Sequence, residues 1–170
     1  FVVTKYDSTD AYVGTAFGNG DTSQAFGTVV ATGGDLTVQG WGNQNDLVSD
    51  TPGVGAGWLV QSATVSGDQV THYLDGTQID SGTQTYDTTL DAQGSKFVIG
   101  EEINEIGYAD MQIAAVLVYD RSLTETERQD VEDYLQQKYF ETGDGGTTNT
   151  APTASDDSAS VTAGQSTTID

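Results

Sequence analysis

Chemistry at neutral pH most often needs a histidine, and this chain has one, His72. A Ser-His-Asp triad would have to use it. It stands between Thr71 and Tyr73 in a run with strand character. No nucleophile-elbow motif accompanies it, so it reads as an ordinary strand residue. Paired carboxylates are the next option, because glycoside hydrolysis needs two carboxyl groups flanking the scissile bond. The segment "EEINEIG", Glu101 to Gly107, is rich in them but reads as a loop. Asp7, Asp10, Asp46, Asp50 and Asp75 fall at turns and loops, where calcium usually draws its six to eight oxygens. Asp46 and Asp50 are the candidate metal ligands, and Ca2+ is the candidate cofactor. Neither an EF-hand nor a nonapeptide repeat is present.

Sugar recognition is the fourth option. It needs an aromatic face for the apolar side of a pyranose, with amides and carboxylates for the hydroxyls. The loop "GWGNQNDLVSD", Gly40 to Asp50, offers both. Trp41, Asn43, Asn45 and Asp46 are therefore the candidate carbohydrate-binding residues. The competing reading puts Trp41 in the core and makes the amides turn formers. Trp58 follows Gly57 at the start of a strand and is assigned to the core.

These residues need elements to position them. Val2–Tyr6 and Ala11–Phe17 read as strands, as do Gln24–Thr32 and Leu36–Gly40. Residues 42–57 form a long loop with little periodicity. Strands follow at Trp58–Ser66, Gln69–Leu74 and Thr77–Asp80, the last two joined by Asp75-Gly76, a strong hairpin signal. Ser95–Gly100 and Met111–Tyr119 complete the set. The last is nearly apolar throughout, which predicts burial on both faces. One helix then spans 124–139, with Thr124 and Glu127 as a capping box. Val131, Tyr134, Leu135 and Lys138-Tyr139 form its apolar stripe, with Glu125, Arg128, Gln129, Glu132 and Gln136 on the solvent side.

Composition narrows the functions. With 26 Asp and Glu against 5 Lys and Arg, the net charge is −21. Such a surface repels polyanions, which excludes nucleic acid as a partner. It suits a salty habitat, marine or halophilic, where screening removes the self-repulsion. There is no Cys, so disulfides and thiol chemistry are excluded. No stretch is long and apolar enough for membrane insertion as a helix.

Several of these pieces recur in a fixed order. A Trp opens a strand at Trp58, and a later strand ends in Tyr73-Leu74-Asp75-Gly76. Ile99-Gly100 follows, then Tyr119-Asp120-Arg121-Ser122-Leu123, Glu127-Arg128, and Tyr134-Leu135-Gln136-Gln137-Lys138-Tyr139. From about Gln24 to Phe140 the chain resembles the laminin-G-like, concanavalin-A-like jelly-roll domains of secreted bacterial and archaeal proteins. The resemblance implies an all-β fold, an antiparallel jelly-roll sandwich with one C-terminal α-helix that covers an edge of the core. Related jelly rolls often carry a calcium on a loop edge. Strands that precede "FVVTKYD" in the family are absent, so Phe1 looks internal to a domain, and the open sheet edge could take a strand from another copy. Laminarinase-type enzymes of the same fold carry Glu-x-Asp-x-x-Glu on a strand. If Glu102 led that motif, Asn104 would replace the Asp and Glu105 would come one residue early.

The expected organisation is a jelly-roll domain over 1–140, a flexible linker over 141–157, and the first strand of a following β module over 158–170. That tail is similar to the entry of cadherin-like or immunoglobulin-like tandem modules. The function expected is an extracellular or cell-surface carbohydrate-binding or adhesive module of a larger protein, with a glycan as partner and no catalytic residues. A structural module of a surface layer or filament is the alternative, and a glycan-active hydrolase the third reading.

Overall fold

The structure, a computed structural model, describes residues 1–8, 15–18, 25–30, 33–40, 45–85, 96–101 and 110–140. Its elements are β1 (Val2–Tyr6), β2 (Thr15–Gly18), β3 (Ala25–Val30), β4 (Asp35–Gln39), β5 (Leu47–Pro52), β6 (Leu59–Ser66), β7 (Gln69–Leu74), β8 (Thr77–Thr83), β9 (Lys96–Ile99), β10 (Met111–Val116) and α1 (Glu125–Tyr139). They build two five-stranded antiparallel sheets, ordered β10-β1-β6-β7-β8 and β5-β4-β3-β2-β9. The fold is the expected antiparallel jelly-roll sandwich with one C-terminal helix. Among the described residues no helix is long and apolar enough to cross a membrane. The expected linker and following strand, 141–170, lie outside the described residues.

Side-chain alternation puts β1 and β6 to two uses. Tyr6 and Leu59 point inward and pack on Leu36 of the opposite sheet, with Leu74, Ile79 and Met111 beside them. Val3 and Val60 point outward and are covered by Leu135 of α1. Each such side chain taken fully out of water contributes about 2 kcal/mol.

The interior is not wholly apolar. The Tyr6 hydroxyl donates to Gln61 Oε1 at 2.6 Å. Gln61 Nε2 donates to the Thr37 carbonyl at 3.3 Å, across the sandwich, and lies 3.0 Å from His72 Nε2. With Nε2 as the acceptor, the ring proton of His72 sits on Nδ1, which has no partner among the described residues. Burial pushes the His72 pKa down to about 4 and raises that of Tyr6.

Four expectations are corrected. Residues 42–57 are not all loop, because β5 lies within them and closes one edge of its sheet. Pro52 is tolerated there as the last residue of an edge strand. β10 is also an edge strand, paired only with β1, and its Gln112 and Ala114 are exposed. Burial on both faces would require a layer packed over each, and the face that carries Gln112 and Ala114 has none. Trp58 is not core: it precedes β6 and is 40 % exposed. The helix lies over β6, the middle strand of its sheet, rather than over an edge.

Candidate functional site

Where the first turns of α1 cross the sheet, an open cleft of about 300 Å³ forms. Its sheet wall is Thr64, Tyr73, Gly76 and Gln78, and its helix wall is Leu123, Glu125, Arg128 and Gln129. Sequence fixes both walls. Thr64 and Tyr73 occupy the outward positions of β6 and β7, with Tyr73 opposite Ser62 in the ladder. Asp75 and Gly76 turn the chain into β8 with φ of 47° and 82°, the left-handed pair that a tight two-residue hairpin requires.

The helix start is fixed as firmly. Thr124 and Glu127 form the expected capping box. Glu127 also takes a two-pronged contact from Arg121, Nη1 to Oε2 at 2.8 Å and Nη2 to Oε1 at 2.7 Å. Arg121 first, and then the Thr124 backbone and hydroxyl donors, hold the Glu127 carboxyl down to about 2.

Behind the cleft lies a buried polar cluster. Arg128 is ion-paired with Glu132, and the two residues are 4 % and 2 % exposed. Ser62 donates to Glu132 Oε1 at 2.5 Å. The Arg128 guanidinium lies 3.8 Å from the centre of the Tyr73 ring, a stacked cation–π contact. Its Nη1 also reaches the Gly76 carbonyl at 3.4 Å, while its Nε has no partner among the described residues. The expected solvent side of the helix is thus partly its buried side. Arg128 and Glu132 face the sheet because Tyr73, Ser62 and Gly76 supply a stacking face, a donor and an acceptor. The apolar stripe holds at Leu135, while Tyr134 is 51 % exposed.

The cleft therefore offers a flat wall with amides, a hydroxyl and a carboxylate around it. Its amides are weakly committed. Gln129 donates to Glu125 at 3.3 Å and Gln78 to Ser81 at 3.4 Å, both long and solvent-exposed contacts that a ligand could replace. His72 is wholly buried between the sheets and does not face the cleft.

The sequence-based site is only partly in view. Trp41 and Asn43 lie outside the described residues, as does most of the 101–107 carboxylate segment. Asn45 serves the backbone: its Nδ2 donates to the carbonyls of Gly40 at 2.8 Å and Thr85 at 2.9 Å, and its Oδ1 accepts from the Thr85 N–H at 2.8 Å. Asp46 accepts from the Gly40 N–H at 3.1 Å. Desolvation raises the Asp46 pKa, and that Gly40 contact opposes the rise. Asp75 likewise caps backbone and helix, accepting from the Val60 N–H and from Gln136 Nε2, each at 2.8 Å.

Calcium does not fit the proposed pair. Asp46 and Asp50 are separated by extended chain that enters and follows β5, which places their Cα atoms roughly 13 Å apart. Ligands of one calcium sit about 2.3–2.6 Å from the ion, so these two carboxylates do not share one. Among the described residues no group of three or more His, Asp or Glu could hold a metal.

Tyr73 and Arg128 were missed as site residues, although a signal was present. Arg128, Glu132 and Leu135 stand at i, i+4 and i+7, a single helical face. Reading the first two as solvated charges hid it.

Comparison with known proteins fits this architecture. No curated protein matches the chain. Among solved structures, the CBM40 module of the Ruminococcus gnavus IT-sialidase bound to α2,3-sialyllactose is 16 % identical with a TM-score of 0.53, over 77 % of this chain and 80 % of that one. The same module bound to α2,6-sialyllactose gives 16 % identity, the same coverage and a TM-score of 0.47. An S-layer domain-containing protein of Clostridium thermocellum gives 19 % and 0.42, over 71 % of this chain and 64 % of that one. At its identity the first of these likenesses speaks to fold alone. The Laminin_G_3 family, described as the concanavalin A-like lectin/glucanases superfamily, matches residues 3–127. The chain belongs to this laminin-G-like family of the concanavalin A-like superfamily.

Proposed function

We propose that this domain is a carbohydrate-binding or adhesive module of a larger secreted or surface protein, with the helix–sheet cleft as its glycan site. The observation that carries the reading is the cleft's lining. A stacked Tyr73–Arg128 wall is ringed by Thr64, Gln78 and Gln129, whose amide hydrogen bonds are long enough to be exchanged. Sugars ask for a flat wall and for donors and acceptors that can swap partners. Family membership supports the reading, as does the fold shared with a module that binds sialyllactose.

A glycan array on the whole chain tests it, followed by titration of the best ligand. Gln78→Ala combined with Gln129→Ala should weaken binding about tenfold or more, the value of one or two lost hydrogen bonds, at unchanged Tm. Trp41→Ala tests the loop set of Trp41, Asn43, Asn45 and Asp46 in parallel. Binding that ignores the Gln78 and Gln129 changes but falls with Trp41→Ala would move the site to the loop. No binding to any glycan would remove the function.

A further inference from the structure

Accepting the cleft as the glycan site, we infer that it selects uncharged glycans over acidic ones. Among the described residues Arg128 is the only cation lining the cleft. An acidic sugar would need its charge and its two-pronged fork of N–H donors. Neither is free. The charge is matched by Glu132, which is buried against it and held by Ser62. One face of the guanidinium covers Tyr73, and Nη1 is committed to Glu132 and the Gly76 carbonyl. Nε is buried and has no partner among the described residues.

Beside it on the helix wall stands Glu125, whose described contact is with the neutral amide of Gln129, so its charge is unmatched. The first turn of the helix adds nothing for an anion, since Glu125 and Glu127 are both acidic. The wider field is that of a chain with net charge −21. A carboxylate or sulfate entering the cleft therefore meets more negative than positive charge at close range, where screening is weakest. Neutral hydroxyls meet none of this opposition and find Thr64, Gln78, Gln129 and the Glu125 acceptor. The shared fold with a sialyllactose-binding module does not carry that module's anionic ligand to this cleft.

The test uses matched pairs on the intact chain: lactose against α2,3-sialyllactose, and oligogalactose against oligogalacturonate. Each is titrated at low and at high NaCl, from roughly 20 to 500 mM, which shortens the Debye length several-fold. The neutral member of any recognised pair should bind about tenfold tighter at low salt and be indifferent to NaCl. Binding of its acidic partner should improve with salt. Glu125→Gln, an exposed change that keeps the Gln129 contact possible, should narrow the gap by severalfold. An acidic member that binds tighter, and weakens as salt rises, overturns the inference and leaves carbohydrate binding standing. Binding to no member of either pair, with array-wide silence, overturns both.

Discussion

His72 makes the sandwich sensitive to acid through one proton. Its imidazole is wholly buried, with Nε2 held by Gln61 and Nδ1 without a partner among the described residues. Protonation would place a cation between the sheets and take away the lone pair that Gln61 uses. Burial accordingly lowers its pKa from 6.5 to about 4. Because the folded value lies below the unfolded one, the unfolded chain takes up the proton first. The stability contributed is complete above pH 6.5, declines as pH falls through the interval, and levels off below the folded pKa near 4. A shift of this size corresponds to about 3 kcal/mol in total, a slope near 1.4 kcal/mol per pH unit. The assay is urea unfolding from pH 8 to about pH 4, in constant high salt, for the natural chain and for His72→Gln. Glutamine keeps a hydrogen-bonding group for Gln61 and cannot take the proton. Carboxylate titration is common to both chains and cancels in the difference. The difference should be flat at high pH and close by about 3 kcal/mol on acidification. Two curves that stay parallel throughout would refute the burial argument, whatever their absolute separation.

Other outcomes follow from the same structure. Adding NaCl at fixed pH should raise Tm, because the −21 charge is mostly self-repulsion that salt screens; sucrose at matched osmolarity controls for general exclusion effects, and a flat NaCl response would contradict the claim. Asn45→Ala should cost about 1 kcal/mol in urea unfolding, since it removes three hydrogen bonds to the Gly40 and Thr85 backbone that water replaces only in part; a neutral result would show that the clamp is not formed. Glu132→Ala should destabilise by about 3–5 kcal/mol by leaving Arg128 buried and unpaired, and Arg128→Met added to it should recover much of the loss.

How far the sequence could be read depended on whether local pattern and tertiary context agreed. The Asp75-Gly76 hairpin and the Thr124 capping box are local devices, and both formed as expected. β7 was legible as a strand, but its pattern could not say that His72 would be buried against Gln61. β5 was hidden because Asp50 and Pro52 resemble loop chemistry, and an edge strand tolerates both. β10 misled in the opposite direction. Its uniform apolarity suggests a central strand, yet only the sheet order decides how many neighbours a strand has. The cleft was illegible for a related reason. Arg128 and Glu132 look like solvated helix charges until Ser62 and Tyr73, distant in sequence, are brought beneath them.

The anchoring of the helix start bears on what a ligand must give up to bind. Thr124, Glu127 and Arg121 fix the first turn from one side, and the Ser62–Glu132–Arg128–Tyr73 chain fixes it from the sheet. One wall of the cleft is thus already ordered before anything enters. Association normally loses about 0.5–1.5 kcal/mol for each flexible side chain immobilised. Here that loss falls on Gln78, Gln129 and Glu125 among the larger polar groups. Under the proposed function, a glycan with few contacts can then be held at useful strength.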